Sequence, residues 1–293
     1  MATVMTPNDD KETRYARTTA PIGDLLQRNG VLSEQEVRRV ITLQREQGLR
    51  FGEAAVQMGL LSEQDINRAL ARQFDYPYVN SDQSNLHKSL YAAYEPFDTA
   101  AELMRGLRST LSLRWFTEKT KMLTVVGSRS GEGCSNLAAN LAISYAQLGE
   151  RTLLIDADLR APVQHKLFGL ESDKGLTSLL GGRSSLHDSV LKVELFPQLS
   201  VLCAGHGVPN PQELLGRLTF TYLMETLPAG FDVVIVDTSP ILDYADAQMV
   251  AARSGGALLV GRRDRTRLAD IAKSKQQLQV PGVTLLGVVI NEA

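Results

Sequence analysis

Cysteine is scarce in this chain, and neither sign of charge is in excess. The 293 residues include two cysteines, Cys134 and Cys203. This is too few for a disulfide framework, so a reducing cytoplasm is the expected compartment. The formal net charge is only -2, whereas a protein that binds nucleic acid usually carries a basic face. We therefore expect no nucleic acid partner.

Long apolar runs are also lacking. No run approaches the roughly 20 residues that a membrane-spanning helix needs. The polar N-terminus, MATVMTPNDDKETRYARTTA, has no apolar core of the kind found in signal peptides. The hydrophobic fraction is nevertheless 43%, which is ordinary for a globular protein with a sizeable core. We expect two domains, and any membrane attachment would depend on a partner.

An internal repeat occupies the first quarter of the chain. The stretches IGDLLQRNGVLSEQEVRRVITLQ and FGEAAVQMGLLSEQDINRALARQ, residues 22–44 and 51–73, align with each other. In each copy an apolar stripe precedes a glycine, Gly30 or Gly59, which suits a left-handed helix end. Ser33 with Glu36 matches a capping box that starts the next helix. Each copy is therefore predicted to be a helix–turn–helix unit.

The repeat resembles the N-terminal domain of type II secretion ATPases, whose tandem motifs bind cyclic di-GMP in some members. The resemblance implies that Arg50, Gln44 and Gln73 are candidate cyclic di-GMP ligands. The first copy begins with Pro21 instead of an arginine, which removes a planar donor suited to guanine or phosphate. The alternative for the two glutamines is a buried or rim amide satisfied by the backbone.

Short apolar runs alternate with helical patterns after Met122. They are MLTVVG, RTLLIDA, LSVLCAG, FDVVIVD, GGALLVG and TLLGVVI. Continuous runs of this kind are typical of parallel strands that are buried on both faces. We predict an α/β fold, a doubly wound and mostly parallel sheet, preceded by a small all-helical repeat domain. The ligand site of such a sheet lies at the carboxyl ends of its strands.

The stretch SRSGEGCSNLAANLA, residues 128–142, follows the first predicted strand and opens a helix. It is close to a phosphate-binding P-loop, GxxxxGK followed by Ser or Thr. Ser128 replaces the first glycine, and Cys134 stands where the lysine belongs. Glycines let main-chain N–H groups approach phosphates at a helix N-terminus. The candidate nucleotide-binding residues are Arg129, Ser130, Gly131, Glu132, Gly133, Cys134, Ser135 and Asn136.

Three aspartates follow predicted strands at the same expected edge of the sheet. Asp156 and Asp158 lie in LLIDADLR, and Asp237 ends FDVVIVD. Each alone would be an ordinary loop or turn residue. Gathered beside a phosphate loop, three carboxylates would repel one another without a cation. Mg²⁺ suits them because it prefers oxygen ligands and bridges carboxylates to phosphates, and the Ser135 hydroxyl would complete the metal site.

These motifs resemble the bacterial tyrosine kinases of polysaccharide export, a branch of the deviant P-loop ATPases. The loop, the DxDxR strand with Arg160, the IVDTSP strand and the NPQELL stretch carry the resemblance. It implies ATP and Mg²⁺ as cofactors and a catalytic role for Asp156 and Asp158. It further implies a metal site at Ser135, Asp156 and Asp237. Asn291, at the end of the last predicted strand, would contact the adenine.

The resemblance also implies partners. Glu102, Arg105 and Arg108 share one face of a predicted helix and match a motif by which family members form rings. The alternative is a solvated charged face. Family members work with an inner-membrane polysaccharide copolymerase, which implies a cytoplasmic location, peripheral to the inner membrane through that partner.

We divide the chain into four parts on this basis. Residues 1–19 are polar and aperiodic, which is typical of a disordered tail. Residues 20–79 form the helical tandem-repeat domain, and residues 96–293 form the P-loop kinase-like ATPase domain. Residues 80–95 are expected to be a linker between them.

Cys134 departs from the family pattern because it cannot supply the lysine's charge. At a helix N-terminus its thiol is expected to favour the thiolate, which would repel phosphate. Arg129 falls where the partition and cell-division branch places its signature lysine. We therefore expect Arg129 to be a compensating cation.

The tyrosines depart from the pattern as well, because family kinases phosphorylate a C-terminal tyrosine cluster. The eight tyrosines here are Tyr15, Tyr76, Tyr78, Tyr91, Tyr94, Tyr145, Tyr222 and Tyr244. None lies near the end of the sequence, so we expect no such cluster to act as substrate. Tyr91 and Tyr94 are either modification sites or packing anchors.

Three functions remain open at this stage. The first is an ATP-binding tyrosine-kinase-like component of exopolysaccharide synthesis that controls chain length or assembly. The second is a non-catalytic nucleotide-binding scaffold regulated by cyclic di-GMP. A positioning ATPase of the partition type is the third, and the NPQELL and ring motifs argue against it.

Overall fold

The computed structural model describes residues 21–63, 65–66, 69–70, 78–79, 84–95, 97–171 and 173–292. The chain divides into two compact units, Met1–Pro77 and Tyr78–Ala293. The tail predicted for residues 1–19 lies outside the described residues.

The first unit is helical. It contains α1 (Ile22–Arg28), α2 (Glu34–Gln47) and α3 (Phe51–Gln57). The capping box at the start of α2 is confirmed, because the Ser33 hydroxyl accepts from the Glu36 N–H and the Glu36 carboxylate accepts from the Ser33 N–H. Gly30 and Gly59 adopt the predicted left-handed conformation, with φ of 69° and 66°. Buried apolar side chains from the three helices share one small core.

The helices of the second unit alternate with strands after an initial helical region. The first helices are α4 (Tyr91–Tyr94), α5 (Thr99–Arg114) and α6 (Cys134–Gln147). The later ones are α7 (Gln164–Leu167), α8 (Leu176–Leu180), α9 (Leu186–Ser189), α10 (Pro211–Leu215), α11 (Leu218–Thr226), α12 (Asp246–Ser254) and α13 (Leu268–Gln279).

The strands form one sheet. They are β1 (Met122–Gly127), β2 (Thr152–Asp156), β3 (Val190–Lys192), β4 (Leu199–Leu202), β5 (Val233–Asp237), β6 (Gly256–Arg262) and β7 (Thr284–Asn291). Their order across the sheet is β3-β4-β2-β5-β1-β6-β7. Every neighbouring pair is parallel except β3 with β4. The six predicted strands are confirmed, and the short antiparallel strand β3 is an addition at one edge.

Burial explains why the apolar runs became central strands. All residues of β1, β2 and β5 are buried, because helices cover both faces of the sheet. One apolar core contains Leu123, Leu141 and Ile235, and another contains Leu153, Val234 and Phe220. Strands buried on both faces need apolar side chains at consecutive positions, which is the pattern read from the sequence.

The described residues of the predicted linker, 84–95, pack against the second unit. Leu86, Leu90 and Ala93 belong to the main core of the second unit. The side chain of Asn140 on α6 accepts from the Ala92 N–H at 2.9 Å and donates to the Ser89 carbonyl at 3.1 Å. Two kinds of contact hold this mostly polar stretch in place. Its few apolar side chains are buried in the core, and the Asn140 amide on α6 satisfies its backbone groups.

No helix in the described ranges is long and apolar enough to cross a membrane.

Replacing Leu90 tests the packing of residues 84–95. Leu90 is fully buried, so Leu90→Ala should lower the free energy of unfolding by about 2 to 5 kcal/mol. The matched control is Leu113→Ala on α5, because Leu113 is 88% exposed. Chemical denaturation of the whole chain measures both. Equal, near-zero effects would show that residues 84–95 are detached in solution.

Candidate nucleotide-binding site

The glycine-rich loop joins the end of β1 to the start of α6. Gly131 and Gly133 both have left-handed backbones, with φ of 81° and 90°. A Cβ at Gly133 would lie 2.0 Å from Nδ2 of Asn291, and one at Gly131 would lie 2.8 Å from Nη1 of Arg265. Larger residues would therefore meet both backbone strain and steric overlap. The conformation of the loop therefore depends on these two glycines.

Glu132 fixes the shape of the loop. Its side chain is buried, and one carboxylate oxygen accepts from the Arg129 N–H at 3.0 Å. The other oxygen accepts from the Thr266 hydroxyl at 2.6 Å. The carboxylate thus spans the loop and ties it to the connection between β6 and α13.

Two arginines that our sequence reasoning missed lie against the loop. Nη1 of Arg265 is 3.3 Å from the Gly131 carbonyl, and Nη2 is 3.4 Å from the Ser130 carbonyl. Nη1 of Arg262 is 3.4 Å from the same Gly131 oxygen. The signal was available in GRRDRTR, an arginine-rich stretch at the carboxyl end of a predicted strand.

The two strand-end aspartates face each other across neighbouring strands. In the parallel register of β2 with β5, Asp156 is the partner of Asp237, and both are fully buried. Asp156 accepts main-chain N–H groups of Asp158, Val163 and Gln164 at 3.0 to 3.2 Å. It therefore also shapes the loop that follows β2.

Asp158 and Arg160 lie in that loop. The Asp158 carboxylate accepts the N–H groups of Arg160 and Ala161, both at 3.1 Å. The Arg160 guanidinium pairs with buried Asp246 at 2.7 Å and lies 4.0 Å from the centre of the Tyr244 ring. Arg160 is thus fixed beside the aspartates by an ion pair and a cation–π contact.

Asp237 has the character of a metal-site carboxylate. Its Oδ2 accepts from Nε2 of Gln164 at 2.8 Å, and the Ser135 hydroxyl also hydrogen-bonds to it. Its Oδ1 is buried and has no hydrogen-bond partner within the described structure. An orphaned buried oxygen is unusual, and a magnesium ion or its water would satisfy it. Sequence reasoning also missed Gln164, which follows DLRAPV without a recognisable motif.

The described residues contain no group of three or more His, Cys, Asp or Glu side chains that could hold a metal by themselves. This arrangement still fits Mg²⁺, which keeps several waters and takes other ligands from nucleotide phosphates. Ser135, Asp156 and Asp237 would supply the protein's share of such a site.

Burial raises the pKa of both strand-end carboxyl groups. For Asp237 burial outweighs its hydrogen bonds from Gln164 and Ser135 and raises the pKa to about 7. For Asp156 burial and then the Asp237 charge raise the pKa well above its ordinary value. Two desolvated carboxylates in contact make a site that attracts either protons or a cation.

The expectation of a Cys134 thiolate is wrong. Burial, followed by the charges of Asp237 and Glu132, raises the pKa of the Cys134 thiol well above its ordinary value. The sulfur packs back on the end of β1, where a Cβ on Gly127 would lie 2.5 Å from it. Burial together with the nearby carboxylates therefore outweighs the helix N-terminus, and the raised pKa favours the neutral thiol over the thiolate.

The remaining candidate residues of the loop have protein partners. Arg129 binds Asp243 at 3.0 Å and Asp270 at 3.3 Å. Asn136 accepts from the Ser89 hydroxyl at 2.7 Å. Asn291 donates to the Glu132 carbonyl at 3.3 Å, so its amide lies at the loop. Whether Asn291 contacts an adenine stays a prediction.

The charged helix is α5, and its three motif residues do not behave alike. Glu102 and Arg105 form an ion pair with each other. Arg108 donates to the Ser144 carbonyl of α6 at 2.7 Å within the same chain. Glu102 is the exposed member of the motif. Ring formation through these residues stays a prediction.

The candidate tyrosines of the predicted linker, Tyr91 and Tyr94, are partly buried and pack against the core of the second unit. Burial raises the pKa of Tyr91 to about 12, and the Tyr94 hydroxyl donates to the Leu86 carbonyl at 2.5 Å. Tyr222 is 70% exposed and Tyr244 is 43% exposed, so these are better placed for modification.

The candidate cyclic di-GMP ligands are only partly described. Arg50 is exposed and precedes α3, where its N–H donates to Glu53 at 2.8 Å. Gln44 is half-buried on α2. Gln73 lies outside the described residues.

Similarity to known proteins agrees with this geometry. A profile of the CobQ/CobB/MinD/ParA nucleotide binding domain matches residues 123–293. A Staphylococcus aureus protein named putative tyrosine-protein kinase CapB is 34% identical over 203 residues, 69% of this chain and 89% of the relative. The Bacillus subtilis tyrosine-protein kinase YwqD is 37% identical over 208 residues, 71% of this chain and 87% of the relative. The match to the Ralstonia solanacearum protein EpsB covers only 27% of that relative.

Solved structures give the same result. The kinase domain of the Escherichia coli tyrosine kinase ETK superposes with a TM-score of 0.68 at 29% identity, covering 80% of this chain and 88% of that domain. The chimerical protein CapA2B2 superposes with a TM-score of 0.67 at 33% identity, covering 79% of this chain and 99% of the other.

The raised pKa of Asp237 predicts a pH-dependent stability. The pKa is about 7 in the folded state against an ordinary 3.8, so between these values the folded state holds the proton and the unfolded state does not. The contribution of protonated Asp237 to the free energy of unfolding is therefore present at low pH and is lost as pH rises through 7. Between pH 6 and 8 the loss should be about 1 kcal/mol. Buried Asp156 acts in the same direction.

Asp237→Asn should remove most of this dependence and make the ligand-free protein more stable at pH 8. Urea denaturation of both proteins at pH 6, 7 and 8, without divalent cations, measures it. An equal loss in both proteins would contradict the assignment to Asp237.

Proposed function

The chain belongs to the bacterial tyrosine-protein kinases within the CobQ/CobB/MinD/ParA nucleotide-binding family, and on that premise we propose that it is an ATP-binding, tyrosine-kinase-like component of exopolysaccharide synthesis. Its role would be to control polymer chain length or assembly together with a membrane copolymerase. Relatives named as tyrosine-protein kinases support this proposal, since the chain covers 89% and 87% of two of them.

The observation that carries the proposal is the buried pair of Asp156 and Asp237 beside the glycine loop. One oxygen of Asp237 has no partner within the described structure, while Gln164 holds the other carboxylate oxygen and Ser135 also hydrogen-bonds to the group. Magnesium, when bound, supplies charge that neutralises these carboxylates and the phosphates. The loop amides would orient the phosphates, and Asp158 would accept the proton of a tyrosine hydroxyl.

A non-catalytic scaffold is the second candidate, and Cys134 favours it. The loop lacks the lysine that steadies the transferring phosphoryl group, and removing such a contact commonly costs about 100-fold or more in rate. The glycine cradle and the Asp237 oxygen serve binding as well as transfer, so binding without turnover fits the same geometry.

Labelled Mg·ATP separates the two candidates. We expect Mg·ATP to raise the melting temperature of the protein, because it binds the folded state only. The Asp237→Asn variant should lose most of the rise in melting temperature that depends on magnesium. Transfer of label to tyrosine, in this chain or in an added tyrosine peptide, identifies a kinase.

Cys134→Lys is the matched gain-of-charge variant. If the cradle is competent for transfer, this variant should raise turnover by about 100-fold, whereas a scaffold would bind more tightly and still not turn over. No thermal stabilisation of either protein by millimolar Mg·ATP would contradict the proposed nucleotide site.

We also propose self-association through α5. Glu102 is exposed there, and Leu103 and Leu113 are 71% and 88% exposed on the same helix. Glu102→Arg places two positive charges three residues apart and should shift any oligomer to monomer in light scattering at matched concentration. Glu118→Arg, beyond the end of α5, is the control for charge. An unchanged oligomer in both variants would exclude this helix.

Cyclic di-GMP binding by the first unit stays a prediction. The named relatives lend it no support, and of its candidate residues the structure describes Arg50 and Gln44. Calorimetric titration of the whole chain with cyclic di-GMP measures it directly.

A further inference from the structure

We propose that Arg265, with Arg262 beside it, supplies the positive charge that the missing P-loop lysine would otherwise give to nucleotide phosphates. The connection that carries them, residues 262–267, is called the arginine turn below. This inference rests on the proposed nucleotide binding and goes further by naming the cation.

The loop has a deficit of positive charge. Glu132, Asp156, Asp158 and Asp237 are buried around it, and Cys134 stands where a P-loop carries its lysine. A triphosphate would add further negative charge to this region. One divalent cation offsets only part of the total, so another cation near the loop is needed for tight binding.

The guanidinium of Arg265 lies at the loop itself. It contacts the Ser130 and Gly131 carbonyls at 3.4 and 3.3 Å, and a Cβ on Gly131 would lie 2.8 Å from it. Arg262 reaches the Gly131 carbonyl from the other end of the turn. An arginine carries five N–H donors in a fork that matches phosphate oxygens. These contacts use two donors of Arg265, so others can turn to a phosphate.

The two arginines also differ from Arg129 in their ion pairs. In the described parts of the chain neither Arg262 nor Arg265 forms an ion pair, whereas Arg129 pairs with Asp243 and Asp270. A phosphate would therefore have to draw Arg129 away from two carboxylates. The structure thus favours the arginine turn over Arg129 as the substitute cation.

The arginine turn is built to hold this position. Asp264 has a left-handed backbone, with φ of 58°, and the Arg265 N–H donates to the Arg262 carbonyl at 3.2 Å, which closes the turn. The Thr266 hydroxyl accepts from the Arg262 N–H at 2.8 Å and donates to Glu132 in the loop at 2.6 Å. Loop and turn are thus joined by direct hydrogen bonds.

Substitutions at Arg265 test the proposal by affinity, without any measurement of turnover. Dissociation constants of Mg·ATP and of adenosine are measured for the whole chain by calorimetry. Arg265→Ala should weaken Mg·ATP about 10-fold, the range expected for one partly exposed charge contact, and leave adenosine unchanged. Arg263→Ala is the matched control, because Arg263 lies in the same turn but pairs with Glu292 at 2.6 Å.

Three further variants separate charge from support of the loop. Arg265→Lys keeps the charge and should retain most of the affinity, whereas Arg265→Gln keeps a donor for the carbonyls but should bind as weakly as Arg265→Ala. Adding Cys134→Lys should restore Mg·ATP affinity in the Arg265→Ala protein more than it improves the wild type. Arg129→Ala should cost less affinity than Arg265→Ala.

The outcomes are distinguishable. Equal Mg·ATP affinity in Arg265→Ala and Arg263→Ala, or full affinity in Arg265→Gln, would overturn this inference and leave nucleotide binding intact. No Mg·ATP binding by the wild-type protein would overturn the proposed function and this inference with it.

Discussion

The site depends on one constraint, the parallel pairing of two fully buried strands that both end in aspartate. Because β2 and β5 are in register at their last residues, Asp156 and Asp237 are neighbours away from water. Their raised pKa values follow from that placement. The ligand-free protein therefore carries an electrostatic penalty at neutral pH, and a magnesium-bound nucleotide would remove it. The same feature that costs stability thus prepares the protein to bind a cation.

Acidic side chains around this pair organise the main-chain groups of two loops. Asp156 and Asp158 organise the turn after β2 by accepting its N–H groups. Glu132 does the same for the glycine loop and links it to Thr266. In a loop that has lost its lysine, these connections matter more, because they decide which cation from another element can reach the phosphates.

Helix α6 connects the site to the preceding segment. It begins at Cys134 in the loop, and further along its length Asn140 and Gln147 hold the backbone of Ala92 through side-chain hydrogen bonds. Arg108 of α5 donates a hydrogen bond to the Ser144 carbonyl of the same helix. Residues 84–95 and the charged helix are therefore packed on the element whose N-terminus belongs to the candidate nucleotide site. Through these contacts residues 84–95 support α6, a structural role that their mostly polar composition does not indicate.

The sequence alone predicted the fold class and the edge that carries the candidate site, because short apolar runs alternating with helical patterns indicate buried parallel strands. The carboxyl ends of such strands share one edge, which places the strand-end aspartates together. The sequence also identified the loop and its missing lysine, since glycine spacing is a local property. Tertiary structure alone decided that Leu86, Leu90, Ala92 and Ala93 join the core, that the pKa of Cys134 is raised, and that Arg262 and Arg265 contact the loop. These features arise from contacts between segments that lie from about 50 to 130 residues apart, such as Ala92 with Asn140 and Arg265 with Gly131. No local pattern specifies such pairs, because burial and charge depend on what the fold brings together.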